Sequence, residues 1–153
     1  MTQNTDRIER KVLLQASRAR VWQALCNAEE FGSWFGVRLK GQSFAPGQRT
    51  HGQVTHPGYE HLVFEVWIER VEPERLLSWR WHPAPLDKDA DYASEPTTLV
   101  TFKLEDAAGG TLLSVVESGF DAVPPDRRLG AFRQNSEGWD EQMKNIEKHV
   151  AAR

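Results

Sequence analysis

The chain is poor in cysteine and tyrosine, with one Cys and two Tyr, and it contains no apolar run near the ~20 residues that cross a bilayer. Each shortage excludes something. Cys26 alone cannot form an intramolecular disulfide, so the fold must rest on its core, and a lone thiol suits a reducing compartment. Charge of one sign is also lacking: the formal net charge is −3, which supplies no basic field for a phosphate backbone or an anionic membrane surface. Nucleic acid and membrane insertion are therefore not expected. The polar stretch Met1-Thr2-Gln3-Asn4-Thr5-Asp6 has no apolar core of the signal-peptide kind, so a cytoplasmic location is expected. There is no glycine-rich phosphate loop, internal repeat or low-complexity tract.

What is present is one domain's worth of ordinary globular sequence. At 153 residues such a chain can bury roughly 68–70% of its unfolded surface. The domain is expected over 7–152, with 1–6 as a disordered tail. Six Trp and seven Phe are the compositional outlier. Trp is rarely buried completely, so this many imply broad apolar walls as well as a filled core.

Periodicity orders the elements. Ile8, Val12 and Leu14 share parity between charged neighbours, as in a strand with one wet face. Ser17 precedes Val21, Trp22 and Leu25 as a helix N-cap, and a second short helix carries Phe31 and Trp34. Extended segments are predicted near Val37–Gln42 and Gln48–Thr55, around the turn Pro46-Gly47, then over His61–Val71 with Phe64, Val66 and Ile68 on one face. Leu77, Trp79 and Trp81 alternate with Ser78, Arg80 and His82. Beyond the polar loop Pro83–Pro96, Val100, Phe102 and Leu104 form one face, and after the turn at Ala107–Gly110 so do Leu113, Val115 and Glu117. Pro124-Pro125-Asp126 can start a last helix with a seam of Leu129, Phe132, Ser136, Trp139, Met143, Ile146 and Val150. Ser136 interrupts that seam, which favours packing on the chain's own sheet over a coiled coil. The layout is α+β: a curved antiparallel sheet of about six to seven strands around a long C-terminal helix, with two short helices after the first strand.

Several ordered motifs carry a family resemblance. Ser17-Arg18-Ala19-Arg20-Val21-Trp22-Gln23-Ala24-Leu25, Trp34-Phe35-Gly36, Val71-Glu72-Pro73-Glu74-Arg75-Leu76-Leu77-Ser78-Trp79, Val100-Thr101-Phe102, Glu117-Ser118-Gly119-Phe120 and Asn135-Ser136-Glu137-Gly138-Trp139 resemble the START-like (SRPBCC) ligand-binding superfamily. Within it they are similar to the branch named for homology to the activator of Hsp90 ATPase. The resemblance runs from about Ile8 to Val150 and implies a helix-grip fold, without cofactor, whose cavity lies between sheet and long helix. It also implies several functions, since lipid carriers, receptors and cyclases share the scaffold and function has to be argued from the site. The turn Pro46-Gly47-Gln48 departs from the family, which often has a second glycine there.

Glu117 is the most informative polar residue, because its parity turns a carboxylate inward where it must find donors or shift its pKa. It reads as a ligand anchor or an acid/base group, with Asn135 and Ser136 facing it; the competing reading is a carboxylate held by backbone donors or water. Under the acid/base reading Glu117→Gln abolishes turnover and retains binding. Trp79, Trp81, Trp139, Phe64, Val66, Phe102 and Phe132 fall on inward faces, as ligand wall or simply core. Trp34 and Phe35 are candidates to guard an entrance.

Other motifs read as structural. His51, His56 and His61 stand five apart, so neighbours in a strand point to opposite faces, and no metal is expected. Asp87-Lys88-Asp89-Ala90-Asp91 opens like a calcium loop but has Tyr92 where glycine and Thr98 where glutamate are required, so calcium is excluded there. Cys26 reads as a small hydrophobe without catalytic partners.

The expected partner is therefore a hydrophobic small molecule bound by a monomer or homodimer. Two alternatives stand beside it: a cofactor-free cyclase or hydrolase using Glu117, and a protein docking on an Hsp90-type chaperone, for which the sequence marks no exposed patch.

Overall fold

The computed structural model describes residues 6–83 and 95–151. The acidic run Asp87–Asp91 and residues 1–5 of the expected tail lie outside the described residues. The sixth residue of that tail is part of the fold: Asp6 accepts backbone hydrogen bonds from Gly119, Phe120 and Asp121.

Six strands form one antiparallel, curved and unclosed sheet: β1 (Arg7–Leu14), β2 (Arg49–Gln53), β3 (Val63–Glu72), β4 (Leu76–Trp81), β5 (Thr98–Ala107) and β6 (Gly110–Ser118). Their order is β1-β6-β5-β4-β3-β2, so the first strand pairs with the last. Between β1 and β2 lie α1 (Arg18–Cys26) and α2 (Ala28–Phe35), and α3 (Pro125–Ala151) closes the chain. With its 27 residues, α3 runs about 40 Å at ~1.5 Å per residue and crosses the sheet.

Local chemistry fixes the boundaries. Ser17 caps α1 by accepting from the Arg20 amide, and Asn27 caps α2 by accepting from Glu30. Gly36 ends α2 in the left-handed region at φ 96°. Inward residues of β3, β5 and β6 are buried as the alternation predicts, while on β4 Trp81 is half-buried and Ser78, on the opposite parity, is buried too. A register shift between Ile68 and Arg70 bulges β3 and leaves Glu69 and Arg70 both on the wet side.

Two expectations need correction. The segment near Val37–Gln42 is not a strand: it makes one bridge, Val37 to Val54, and one bond from Arg38 N to the Gln53 carbonyl. It instead packs Leu39 and Phe44 into the core. Leu129, placed in the helical seam, is 62% exposed, while Ala131 is buried. At about 100° per residue, ten residues leave Leu129 roughly 80° off the direction of Trp139, so a three-four count begun at Leu129 drifts from the buried stripe.

A polar bolt joins the three helices. Glu30 Oε2 accepts from Arg20 NH1 at 2.5 Å and pairs with His149 Nε2 at 2.8 Å. Burial alone pushes the Glu30 carboxyl up, but hydrogen bonds and charge from His149 and Arg20 together outweigh it and hold the pKa below the ordinary carboxylate value. A depressed folded-state pKa stabilises the protein above the unfolded-state value, and that contribution is lost as pH falls through the folded one. Wild type should therefore lose urea stability between neutral pH and the acid side of the carboxylate range more steeply than Glu30→Gln. Parallel curves for the two proteins would show that Glu30 contributes nothing to the acid limb.

Gly52 sits where the chain passes under Arg38, and a Cβ there would lie 1.9 Å from the Arg38 carbonyl oxygen. Backbone cannot move aside cheaply, so Gly52→Ala should cost more than about 2 kcal/mol in denaturant unfolding. Gly130, in α3 with open space around it, is the control: Gly130→Ala should stabilise by about 0.5–1 kcal/mol.

Candidate functional site

The site is built around Glu117. Its strand neighbours across the sheet are Val100 on β5 and Ile8 on β1, both buried, so the carboxylate leaves the sheet in apolar company and is itself 0% exposed. Such a group must be satisfied or it would destabilise the fold by several kcal/mol. Four neutral side chains satisfy it. Trp81 Nε1 and Thr98 Oγ1 donate to Oε2 at 2.8 and 2.6 Å. Trp139 Nε1 donates to Oε1 at 2.8 Å, and Asn135 Nδ2 bridges both oxygens at 2.9 Å.

The positions follow from the elements. Trp81 and Thr98 face each other across the β4–β5 pair, beside Glu117 on β6. Asn135 and Trp139 are four residues apart on α3, hence on one face, and they bring the helix down onto the carboxylate. Two indole N–H groups can only donate, so both oxygens act as acceptors.

Next to this cluster is a cavity of about 80 Å³ lined by Phe35, Trp81, Asn135, Gly138, Trp139 and Gln142. Three rings form its apolar wall: centroids of Trp81 and Trp139 are 5.8 Å apart, with Phe35 at 6.2 Å from Trp139 and 6.5 Å from Trp81. Gln142 Nε2 donates to the Phe35 carbonyl at 2.9 Å and ties the end of α2 to α3. Pockets for drug-sized ligands run about 300–1,000 Å³. This one takes a small group, and a larger ligand would have to part α2 from α3.

The structure divides the residues expected here into groups. Phe35, Trp81, Asn135 and Trp139 line the cavity, and Glu117 stands directly behind three of them. Phe64, Val66, Trp79 and Phe102 lie deeper, in core. Trp79 touches the rings of Phe31 and Phe102 at 5.6 and 5.1 Å, so the space between sheet and helix is filled there. Trp34 is core and not an entrance residue: it is 7% exposed and its Nε1 donates to the Ala24 carbonyl. Phe132 packs on Phe120 at 5.2 Å, and Ser136 accepts from Arg10 at 3.0 Å.

Sequence reasoning missed Thr98, Gly138 and Gln142. Thr98 shares the parity of Val100, Phe102 and Leu104 and is the polar residue at the head of that apolar run, a signal that could have found it. Gly138 and Gln142 gave none, since their role depends on where α2 ends. His51, His56 and His61 are exposed, and among the described residues no three His, Cys, Asp or Glu side chains converge as metal ligands. Cys26 is half-buried, and burial pushes its thiol up, which suppresses its reactivity.

The closed shell changes what Glu117→Gln would report. Whichever way the new amide turns, its NH₂ meets an indole N–H, so the substitution attacks the fold and is no clean test of proton transfer. It should cost about 2–3 kcal/mol in urea unfolding, and Thr98→Val about half of that. A loss under about 0.5 kcal/mol for Glu117→Gln would refute the shell as a structural element.

Comparisons with known proteins agree on the fold. The model of the family described as "Activator of Hsp90 ATPase homolog 1-like protein" matches residues 15–151. Protein MLL2253 from Mesorhizobium loti is 23% identical, with a TM-score of 0.72 over 95% of this chain and 97% of its own. Protein NE0264 from Nitrosomonas europaea is 16% identical, with a TM-score of 0.74 over 99% and 98%. DynU16, a protein of the dynemicin biosynthetic locus, is 20% identical with a TM-score of 0.72, over 95% of this chain and 47% of its own. No functionally curated protein matches the chain.

Proposed function

The chain belongs to the activator of Hsp90 ATPase homolog 1-like family, and from that premise we propose that it binds a small ring-bearing apolar molecule in the cavity between α2, β4 and α3. The observation that carries this reading is the cavity wall: three aromatic rings with two side-chain amides at the mouth. Flat apolar surface with a few oriented polar atoms is the usual make-up of a small-molecule site. At about 80 Å³ the cavity is smaller than the engineered apolar cavity of ~150 Å³ that takes benzene. The reading therefore favours a small head group or part of a single ring over a long acyl chain, with a whole ring or extra bulk admitted only by movement of α2.

The acid/base alternative draws no support from the geometry. Both oxygens of Glu117 are already occupied by donors, and a general base needs a free lone pair within hydrogen-bond reach of substrate. Chaperone docking rests on the family name alone.

Two measurements test the reading. Titrating phenol, indole and naphthol-like compounds should quench Trp fluorescence and raise the melting temperature, by an amount equivalent to about 2.7 kcal/mol at a hundredfold excess over Kd. The variant Gly138→Leu should abolish that response. A Cβ at Gly138 meets nothing within 4 Å, so the new side chain fills the cavity mouth without strain and the helix should be no less stable. Ring compounds that bind Gly138→Leu as well as wild type would place the site elsewhere.

A further inference from the structure

The charge of the occupant follows from the carboxylate behind the wall. Of the four side chains that donate to Glu117, the three on Trp81, Asn135 and Trp139 also line the cavity. All four donors are neutral, and among the described residues none of the hydrogen bonds to this carboxylate comes from a Lys, Arg or His. Arg10, on β1, is engaged by Asp140 and Ser136. Buried at 0% exposure, the anion is shielded by little water, so its field reaches the adjoining space at a low effective dielectric.

The wall strengthens that field. An indole that donates its N–H to an anion is polarised, which adds electron density to a face that is already negative. Both indoles here do so. The Asn135 amide points the same way. Because Asn135 gives Nδ2 to the carboxylate, its Oδ1 must turn outward, and Gln142 spends Nε2 on the Phe35 carbonyl. The cavity thus offers ring faces and the Asn135 oxygen, with both indole N–H groups and the Asn135 amide already used, while Gln142 Oε1 accepts from Asn145 Nδ2. An anionic ligand would find repulsion and, beyond the second N–H of Gln142, no donor among these lining side chains.

Resting on the reading that this cavity is a ligand site, we propose that it takes the ammonium or methylated ammonium head of an organic cation. Ring faces bind such heads by cation–π attraction, and a cavity of about 80 Å³ is in the range of one head group while excluding a whole lipid. The buried carboxylate supplies the counter-charge through the two indoles and Asn135 without touching the ligand.

The test compares isosteres that differ only in charge. Choline, its uncharged carbon analogue 3,3-dimethylbutan-1-ol and the anion 3,3-dimethylbutyrate are titrated by Trp fluorescence against the full chain. Choline should bind about tenfold more tightly than the alcohol, and the anion more weakly still. Phe35→Leu keeps apolar volume and leaves every bond to Glu117 in place; it should weaken choline about fivefold and the alcohol by less than twofold. Phosphatidylcholine vesicles that compete with choline identify a lipid head group as the source, and vesicles without effect identify a free cation. Equal affinity for choline and the alcohol, or tighter binding of the anion, overturns the inference. If choline fails while phenol or indole binds, the cation is wrong and the ligand site stands; if neither set binds, both readings fall.

Discussion

The buried carboxylate of Glu117 is the constraint on which the arrangement of this molecule depends. A charge with no water must be surrounded by donors, and here they come from three different elements: Trp81 on β4, Thr98 on β5, and Asn135 and Trp139 on α3. Apolar packing tolerates sliding by a fraction of a turn, whereas hydrogen bonds of 2.6–2.9 Å do not. The carboxylate therefore acts as a register pin that sets how α3 lies across the sheet. A hydrophobic residue of similar volume would hold the sheet and helix together as firmly, but it would not select one rotation of the helix.

The same pin organises the candidate site. Because both indoles turn their N–H edges to Glu117, their faces are left to one another and to the cavity, with Phe35 closing the third side. Asn135 is held by its amide nitrogen, so its oxygen has only one way to face. The polarity of the cavity is thus decided one layer behind it. This is why the fully enclosed residue, and not the ones that would touch a ligand, governs what chemistry the cavity accepts.

Elsewhere the structure separates binding wall from scaffold. Phe31 contacts Trp34, Phe44 and Trp79 within 4.9–5.6 Å, and this filled centre holds α2 against β3 and β4. The bolt of Arg20, Glu30 and His149 joins α1, α2 and the last turns of α3, and Arg10 with Asp140 ties β1 to the same helix. Movement of α2 at the cavity would have to occur between these two fixed regions.

By itself the sequence determined most of the fold, because the fold depends on alternation and caps that are local. Period-two parity in Phe64, Val66 and Ile68, in Val100, Phe102 and Leu104, and in Leu113, Val115 and Glu117 placed the inward faces, and Ser17 and the Pro124-Pro125-Asp126 start placed helix boundaries. Parity also turned Glu117 inward, and its pairing with Asn135 could be expected from the facing helix. What sequence could not decide is depth. Trp79, Phe102 and Trp81 all read as inward aromatics, yet the first two are core and only Trp81 lines the cavity, since that depends on where α2 and α3 approach the sheet. Thr98 and Gln142 acquire their roles only through contacts between elements distant in the chain. Leu129 and the segment after α2 show the same limit from the other side: a spacing rule gives the direction of a side chain, but whether anything stands in that direction is settled by tertiary packing.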